Sequence, residues 1–168
     1  HKEYRRQRQM CIRDSQGRHQ EAEAIYREII SLGTQNYAVY GNLATICGAQ
    51  GRFDEAVNLL DQALELRPDY PEAYENLGNV HKAQGNLEAA IASYKKAIEL
   101  KPNYPEAHNN LGNALRDEGD LTAAIASYKK ALGLKPNYPE AHNNLGNALK
   151  EQGDLTAAIA SYKKALGL

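Results

Sequence analysis

Cysteine is scarce in this sequence: Cys11 and Cys47 are the only two, and they do not fall in a paired motif. This excludes a disulfide framework and a cysteine-based zinc site as the basis of the fold. No apolar run approaches the length of a membrane-spanning helix, and the charged N-terminus lacks the apolar core of a signal peptide. We therefore expect a cytoplasmic protein with no membrane partner.

The chain also lacks an excess of either charge. It has 20 basic and 21 acidic residues, which gives a formal net charge of -1 at pH 7. These charges are interspersed along the sequence rather than grouped in blocks, as is typical of solvated helix faces. Attraction to nucleic acid needs a concentrated positive charge. We therefore expect no nucleic-acid partner.

What the sequence does contain is a repeat with a period of 34 residues. Glycine recurs at this period, alanine recurs five residues after each glycine, and proline follows in three units. Such a period indicates one supersecondary unit stacked into an array, and it favours a binding function over catalysis. The marking residues are Gly17, Gly51, Gly85, Gly119 and Gly153, then Ala22, Ala56, Ala90, Ala124 and Ala158, and finally Pro68, Pro102 and Pro136.

Residues 105–138 predict how one unit folds. Pro105 suits the first turn of a helix, where its missing N–H is not needed, and apolar residues then recur at spacings of three and four. Gly119 ends this helix in a left-handed conformation and Asp120 caps the next one. A second apolar stripe runs on until Pro136 breaks the chain. Each unit is therefore predicted to be two antiparallel helices, and neighbouring units must stack to bury both stripes.

This unit resembles the tetratricopeptide repeat. The resemblance rests on a bulky residue followed at fixed positions by Leu-Gly, an apolar residue, Ala, an aromatic residue and Pro, and it covers residues 17–168. It implies an all-α fold: a right-handed α-solenoid of stacked antiparallel helix hairpins, whose first helices line a concave surface. In the unit described above the matching residues are His108, Leu111, Gly112, Leu115, Ala124, Tyr128 and Pro136.

The repeat weakens at both ends of the chain. We expect a half unit at 17–36, full units at 37–70, 71–104 and 105–138, and a truncated unit at 139–168. The last unit stops inside the pattern without the polar cap that solenoid ends usually need. We therefore expect the chain to be a fragment of a longer array.

Residues 1–16 do not carry the repeat pattern. Within them, the segment 10–15 (MCIRDS) matches one reading frame of an adapter used in sequencing libraries. This doubtful N-terminal segment is either adapter read-through, which would have to be left out of fold reasoning, or a divergent capping helix.

Two columns of asparagine recur in the predicted first helices. They are three residues apart and so share a helix face, and a carboxamide matches both a peptide N–H and a peptide C=O. Neighbouring first helices should lie ~10 Å apart, about three residues of an extended chain. This favours a groove that binds an extended peptide by its backbone, although the asparagines could equally tie adjacent helices together. The columns are Asn42, Asn76, Asn110 and Asn144, and Asn79, Asn113 and Asn147.

Charged residues form two further columns on the first helices. An acidic column near the helix start and a basic column near its end are separated by about 15 Å along the axis. They could give the groove an acidic and a basic edge, but the helix dipole favours the same placement. The acidic column is Glu72, Glu106 and Glu140, and the basic column is Lys82, Arg116 and Lys150.

No residue pattern indicates catalysis. His108 and His142 share a column, but their apolar neighbours favour packing over metal binding. No nucleophile–base arrangement, phosphate loop or paired-carboxylate site is convincing. We therefore expect no enzyme activity in this chain and no cofactor or metal.

Three interpretations of function follow. The first is a protein–protein interaction scaffold that binds protein or peptide segments in a concave groove. The second rests on similarity to the repeat arm of O-linked N-acetylglucosamine transferases, in phrases such as residues 144–151 (NLGNALKE), and implies the substrate-recognition arm of a larger enzyme. The third is a structural spacer that self-associates, because an apolar end at Ile159, Leu166 and Leu168 could pair with another copy.

Overall fold

The computed structural model describes residues 19–167. The doubtful segment 1–16, with Cys11, as well as Gly17 and Leu168, lie outside the described residues. Nine α-helices and no strand occur within residues 19–167, so the predicted all-α class is confirmed. The helices are α1 (His19–Ser31), α2 (Tyr37–Ala49), α3 (Phe53–Leu66), α4 (Pro71–Ala83), α5 (Leu87–Leu100), α6 (Pro105–Glu118), α7 (Leu121–Leu134), α8 (Pro139–Gln152) and α9 (Leu155–Ala165).

The chain divides into two compact units. The first ends at Asp69 and contains α1 to α3, and the second begins at Tyr70 and contains α4 to α9. In the first unit α1 packs on α2, and α2 packs on α3. In the second unit the helices form three hairpins, α4–α5, α6–α7 and α8–α9, and each hairpin packs on the next through α5 with α6 and α7 with α8.

An ion-pair cluster joins α1 to the start of α3 in the first unit. Arg27 on α1 pairs with both Glu23 and Glu55. Arg52, which precedes α3, pairs with the same two carboxylates at 2.7 Å each. The hydrogen bond from Arg27, aided by the charge of Arg52, holds the pKa of Glu55 below its usual range. The charges on this part of α1 are therefore committed to packing within the unit.

The local signals in each repeat of the second unit act as the sequence predicts. Gly119 ends α6 with a φ of 98°, a left-handed conformation that suits glycine. Asp120 caps α7, because its side chain accepts a hydrogen bond from the backbone N–H of Ala123 at 2.9 Å. Pro105 is the first residue of α6. The predicted hairpin is confirmed.

A tyrosine from each second helix packs on the glycine of the preceding first helix. A Cβ atom built on Gly112 would lie only 2.6 Å from a ring carbon of Tyr128. Tyr128 is completely buried, so its ring has no free space to move into. The glycine of the Leu-Gly pair therefore makes room for the tyrosine. The same contact joins Gly78 to Tyr94 and Gly146 to Tyr162.

Candidate functional site

The first helices of the second unit lie side by side. Helix α4 contacts α6, and α6 contacts α8. The six predicted asparagines of these helices are hereafter called the asparagine face: Asn76, Asn79, Asn110, Asn113, Asn144 and Asn147. Asn42 belongs to α2 in the first unit, where it is half-buried.

Each asparagine of the second column accepts a hydrogen bond from the tyrosine of its own hairpin. The hydroxyl of Tyr128 donates to Oδ1 of Asn113, and that of Tyr162 donates to Oδ1 of Asn147, both at 2.8 Å. Burial raises the pKa of Tyr128 to about 12, so its phenol keeps the proton at neutral pH. These bonds turn each carboxamide oxygen toward the tyrosine and leave Nδ2 as the group that can donate to a ligand.

The first hairpin of this unit repeats the arrangement with one difference. Tyr94 donates to Oδ1 of Asn79 at 2.8 Å, as in the later hairpins. Here, however, Nδ2 of Asn79 donates to Glu75 on the same helix at 3.1 Å. For Asn113 and Asn147, the described residues supply no acceptor to Nδ2. The second column therefore has two donors left for a ligand, both toward the C-terminal end of the unit.

The first column ties neighbouring first helices together through its amide nitrogens. Nδ2 of Asn110 donates to Oε1 of Glu75 on α4 at 2.7 Å, and Nδ2 of Asn144 donates to Oδ1 of Asn109 on α6 at 3.1 Å. No donor among residues 19–167 reaches Oδ1 of Asn110 or of Asn144. The helix-tying role expected as an alternative thus uses the nitrogens, and the two oxygens stay open as acceptors.

Two residues central to these ties were missed by the sequence reasoning. Glu75 also accepts a hydrogen bond from the hydroxyl of Tyr104 at 3.2 Å. Asn109 is completely buried and donates from Nδ2 to Glu140 on α8 at 3.3 Å. Glu75 and Asn109 are 34 residues apart and directly precede Asn76 and Asn110. Their periodic position was the signal that could have identified them.

The basic column is largely neutralised inside the protein. Lys82 forms an ion pair with Asp117 at 3.1 Å, and Arg116 approaches the same carboxylate at 3.5 Å. Lys150 is exposed and forms no ion pair with any residue that the structure describes. Asp117, which the sequence reasoning did not single out, therefore leaves Lys150 as the freest cation of the column.

The acidic column is paired as well. Lys101 pairs with Glu72 at 3.1 Å, and Lys135 pairs with Glu106 at 3.0 Å. These pairs are exposed, so each contributes about 0–1 kcal/mol. The third carboxylate, Glu140, accepts the hydrogen bond from the buried Asn109. The column holds second helices and neighbouring first helices in place, whatever it adds to the helix dipole.

The two histidines of the shared column bind backbone. The Nε2–H of His108 donates to the carbonyl of Pro102 at 3.1 Å, and that of His142 donates to the carbonyl of Pro136 at 2.9 Å. Burial lowers the pKa of His108, which favours the neutral ring. In the described part of the chain, no group of three or more His, Cys, Asp or Glu residues could hold a metal ion. Nor is any helix there long and apolar enough to cross a membrane.

Comparison with known families assigns the chain. A model of the TPR repeat matches residues 44–85, 78–115 and 112–153, and a model of the tetratricopeptide repeat matches residues 139–168. Because these matches cover well over half of the sequence, the chain belongs to the tetratricopeptide repeat family. No curated protein matches the chain.

Solved structures share the fold over nearly the whole chain. A crystal structure of MamA is 26% identical, with a TM-score of 0.80, and the match covers 92% of this chain and 91% of that one. MamA from Desulfovibrio magneticus RS-1 is 21% identical with a TM-score of 0.82, covering 97% and 92%. YrrB, described as a TPR protein with an unusual peptide-binding site, is 21% identical with a TM-score of 0.72, covering 94% and 81%. The chain is thus a tetratricopeptide repeat scaffold of the protein-interaction class.

Proposed function

We propose that this scaffold binds extended peptide segments by their main chain along the asparagine face. The observation that carries the proposal is the opposite polarity of the two columns. Asn110 and Asn144 have carboxamide oxygens open to accept, because their nitrogens bind Glu75 and Asn109. Asn113 and Asn147 have nitrogens open to donate, because their oxygens bind tyrosines.

One asparagine from each column makes a pair suited to a peptide group. The acceptor of Asn110 suits a ligand N–H, and the donor of Asn113, one helical turn further on, suits a ligand C=O. Asn144 and Asn147 repeat the pair on α8. Since such a pair reads only backbone atoms, the expected ligands share an extended conformation rather than a particular sequence.

The amides are held in place before a ligand arrives. Immobilising a free, rotamer-rich side chain on binding costs about 0.5–1.5 kcal/mol. The tyrosine bonds to Asn113 and Asn147 and the interhelical bonds of Asn110 and Asn144 restrict these side chains within the protein. This preorganisation supports a binding role, because it lowers the entropy lost at each contact.

Helix packing supports an inner position for the face within the second unit. The first helices α4, α6 and α8 contact one another in sequence, whereas no contact joins α5 to α7 or α7 to α9 in the part of the chain that is described. Closer approach on the first-helix side bends the stack toward that side. A peptide lying across α6 and α8 would pass one asparagine pair per helix, or about every third residue.

The remaining predicted site residues have smaller parts in this proposal. Lys150 is the exposed cation best able to meet a ligand carboxylate, since Lys82 and Arg116 share Asp117. Asn42, on α2, would extend the same chemistry in the first unit. That YrrB, which shares this fold, is described as having a peptide-binding site supports a peptide ligand here.

A charge-swap variant tests the proposal without removing the tyrosine bonds. Asn113→Asp with Asn147→Asp keeps an oxygen to accept from each tyrosine but replaces the donating nitrogen by an anionic oxygen. We expect binding to an array of random peptides of about 12 residues to fall at least about tenfold across the array, because a ligand carbonyl would face a carboxylate.

The control adds the same two charges elsewhere. Ala92→Asp with Ala126→Asp places them at exposed positions of α5 and α7, and should leave array binding unchanged. Full binding by the asparagine-face variant, with helicity unchanged in both proteins, would reject the proposal.

The transferase-arm interpretation uses the same face. The repeated asparagine pairs are what the two readings share, and a substrate-recognition arm would also bind extended peptides. The readings separate on the protein that carries this array: transfer of N-acetylglucosamine to a bound peptide, lost in the Asn113→Asp, Asn147→Asp variant, would favour the arm. Peptide binding without any transfer would favour a scaffold.

A further inference from the structure

Helices α7 and α9 are identical in sequence over their described residues but differ in what covers them. Both read LTAAIASYKKA from their first residue. Helix α7 packs against α8, whereas α9 contacts α8 only on the side of its own hairpin and no described element covers its other side. Ile125 is therefore 7% exposed and the equivalent Ile159 is 56% exposed. The face that α8 covers on α7 is open on α9.

A polar pair shows the same difference. Asn109 on α6 is completely buried, with Oδ1 bound by Asn144 and Nδ2 bound to Glu140, both on α8. Its equivalent Asn143 on α8 is exposed and has no hydrogen bond to a described residue. The uncovered surface thus has an apolar residue and a carboxamide, in the places where an α8-like helix satisfies both one repeat earlier.

A cavity opens at this surface. Its volume is about 1000 Å³, and its walls come from the end of α7, the turn before α8, and the second half of α9. Residues that line it include Pro136, Tyr138, His142, Leu145, Ser161 and Ala165.

We propose that the surface formed by α8 and α9, hereafter the end surface, binds the first helix of a tetratricopeptide repeat with the chemistry of α8. On α8 the residues that cover α7 and its neighbours are known: Leu145, Ala148 and Leu149 share one apolar cluster with Ile125. Glu140 and Asn144, four residues apart, satisfy Asn109. The occupant is therefore an amphipathic helix with a glutamate, an asparagine four residues later, and a Leu-x-x-Ala-Leu stripe.

A second copy of this chain is a poorer occupant of the end surface. The first helices of its second unit already bury the leucines that would have to dock: Leu77 is 7% exposed, Leu111 8% and Leu145 7%. Offering one of these helices would require its own hairpin to open. A helix that is not already packed does not have this cost.

The probe is a labelled peptide with the sequence of residues 135–152 (KPNYPEAHNNLGNALKEQ), titrated with the whole chain. We expect saturable one-to-one binding by fluorescence anisotropy and a gain of peptide helicity by circular dichroism. Ile159→Glu should weaken binding at least about tenfold, because it places a charge in the apolar contact. Leu32→Glu, at a residue in the first unit that is 70% exposed, is the matched control and should leave affinity unchanged.

A double-mutant cycle tests the polar pair separately. Asn143→Ala in the chain and Asn144→Ala in the peptide should each weaken binding several-fold, and together no more than either alone. Because Ile159 and Asn143 are exposed, both chain variants should fold, which the unchanged circular dichroism spectrum checks.

Three results would overturn the proposal. One is failure of the peptide to saturate, and another is equal binding of the same peptide with its sequence reversed. The third is a concentration-dependent dimer, abolished by Ile159→Glu, in a chain that does not bind the peptide; that outcome would assign the end surface to a second copy.

Discussion

The repeats at 105–134 and 139–168 differ at only three positions, yet they occupy different environments. In the first repeat, helix α7 is covered by α8, and Asn109 is completely buried beneath it. In the second, Ile159 is 56% exposed and Asn143 is exposed. Since the side chains are the same, the neighbour that packs on them sets how much each contributes to stability. Matched substitutions in the two repeats can therefore measure the neighbour's contribution.

The largest difference is expected from the isoleucine pair. Ile125→Ala should reduce the free energy of unfolding by about 2–4 kcal/mol, because it leaves a cavity in a packed core. Ile159→Ala should change it by less than about 0.5 kcal/mol, as is usual at exposed positions. Urea unfolding followed by helix circular dichroism measures both. Equal losses would show that α9 is covered as α7 is.

The glycine pair should differ less. At both Gly112 and Gly146 an added Cβ would lie 2.6 Å from a tyrosine ring carbon. Tyr128 is completely buried and cannot shift, so Gly112→Ala should cost about 1–2 kcal/mol from overpacking. Tyr162 is only half-buried and can move, while alanine improves helix propensity by up to ~1 kcal/mol. Gly146→Ala should therefore be close to neutral, and an equal cost in thermal unfolding would contradict this.

The asparagine pair isolates the polar contribution. Asn109→Ala leaves Asn144 and Glu140 without their partner, and should cost about 1–2 kcal/mol. Asn143→Ala should stay within about 0.5 kcal/mol, because no described residue bonds to it. Chemical denaturation of the two variants side by side decides the point, and a cost at Asn143 as large as at Asn109 would mean that it has a partner.

The smallest difference is expected from the tyrosine hydroxyls. Tyr128→Phe and Tyr162→Phe remove the same 2.8 Å bond to an asparagine. Each should cost about 0.5–1.5 kcal/mol, with Tyr162→Phe at the lower end because water can reach its half-buried site. A neutral Tyr128→Phe would show that the bond does not hold Asn113 in place.

Much of the fold could be predicted from local sequence signals. Gly119, Asp120 and Pro105 act within one turn of the chain, where glycine conformation, capping and the missing proline N–H are intrinsic properties. The burial of Tyr128 and the packing of His108 also followed from their places in apolar stripes. Helix periodicity is enough to predict such features.

The candidate site could be predicted only in part. The spacing of Asn110 and Asn113 gives a shared face, but not which end of each carboxamide is occupied. That depends on Glu75, 35 residues before Asn110, and on Tyr128, across the hairpin. Likewise, the pairing of Lys82 with Asp117 joins different repeats. Such contacts follow from how helices stack, which the spacing within one helix does not determine.

The measurement that tests the proposed function most directly is an ester scan of a bound peptide. The tightest binder from the random array is remade with each backbone N–H in turn replaced by an ester oxygen, which removes one donor and keeps the side chains. If Asn110 and Asn144 accept ligand N–H groups, affinity should fall about five- to tenfold at positions three residues apart and little elsewhere. Equal affinity at every position, or losses without this period, would contradict recognition of the peptide backbone by the asparagine face.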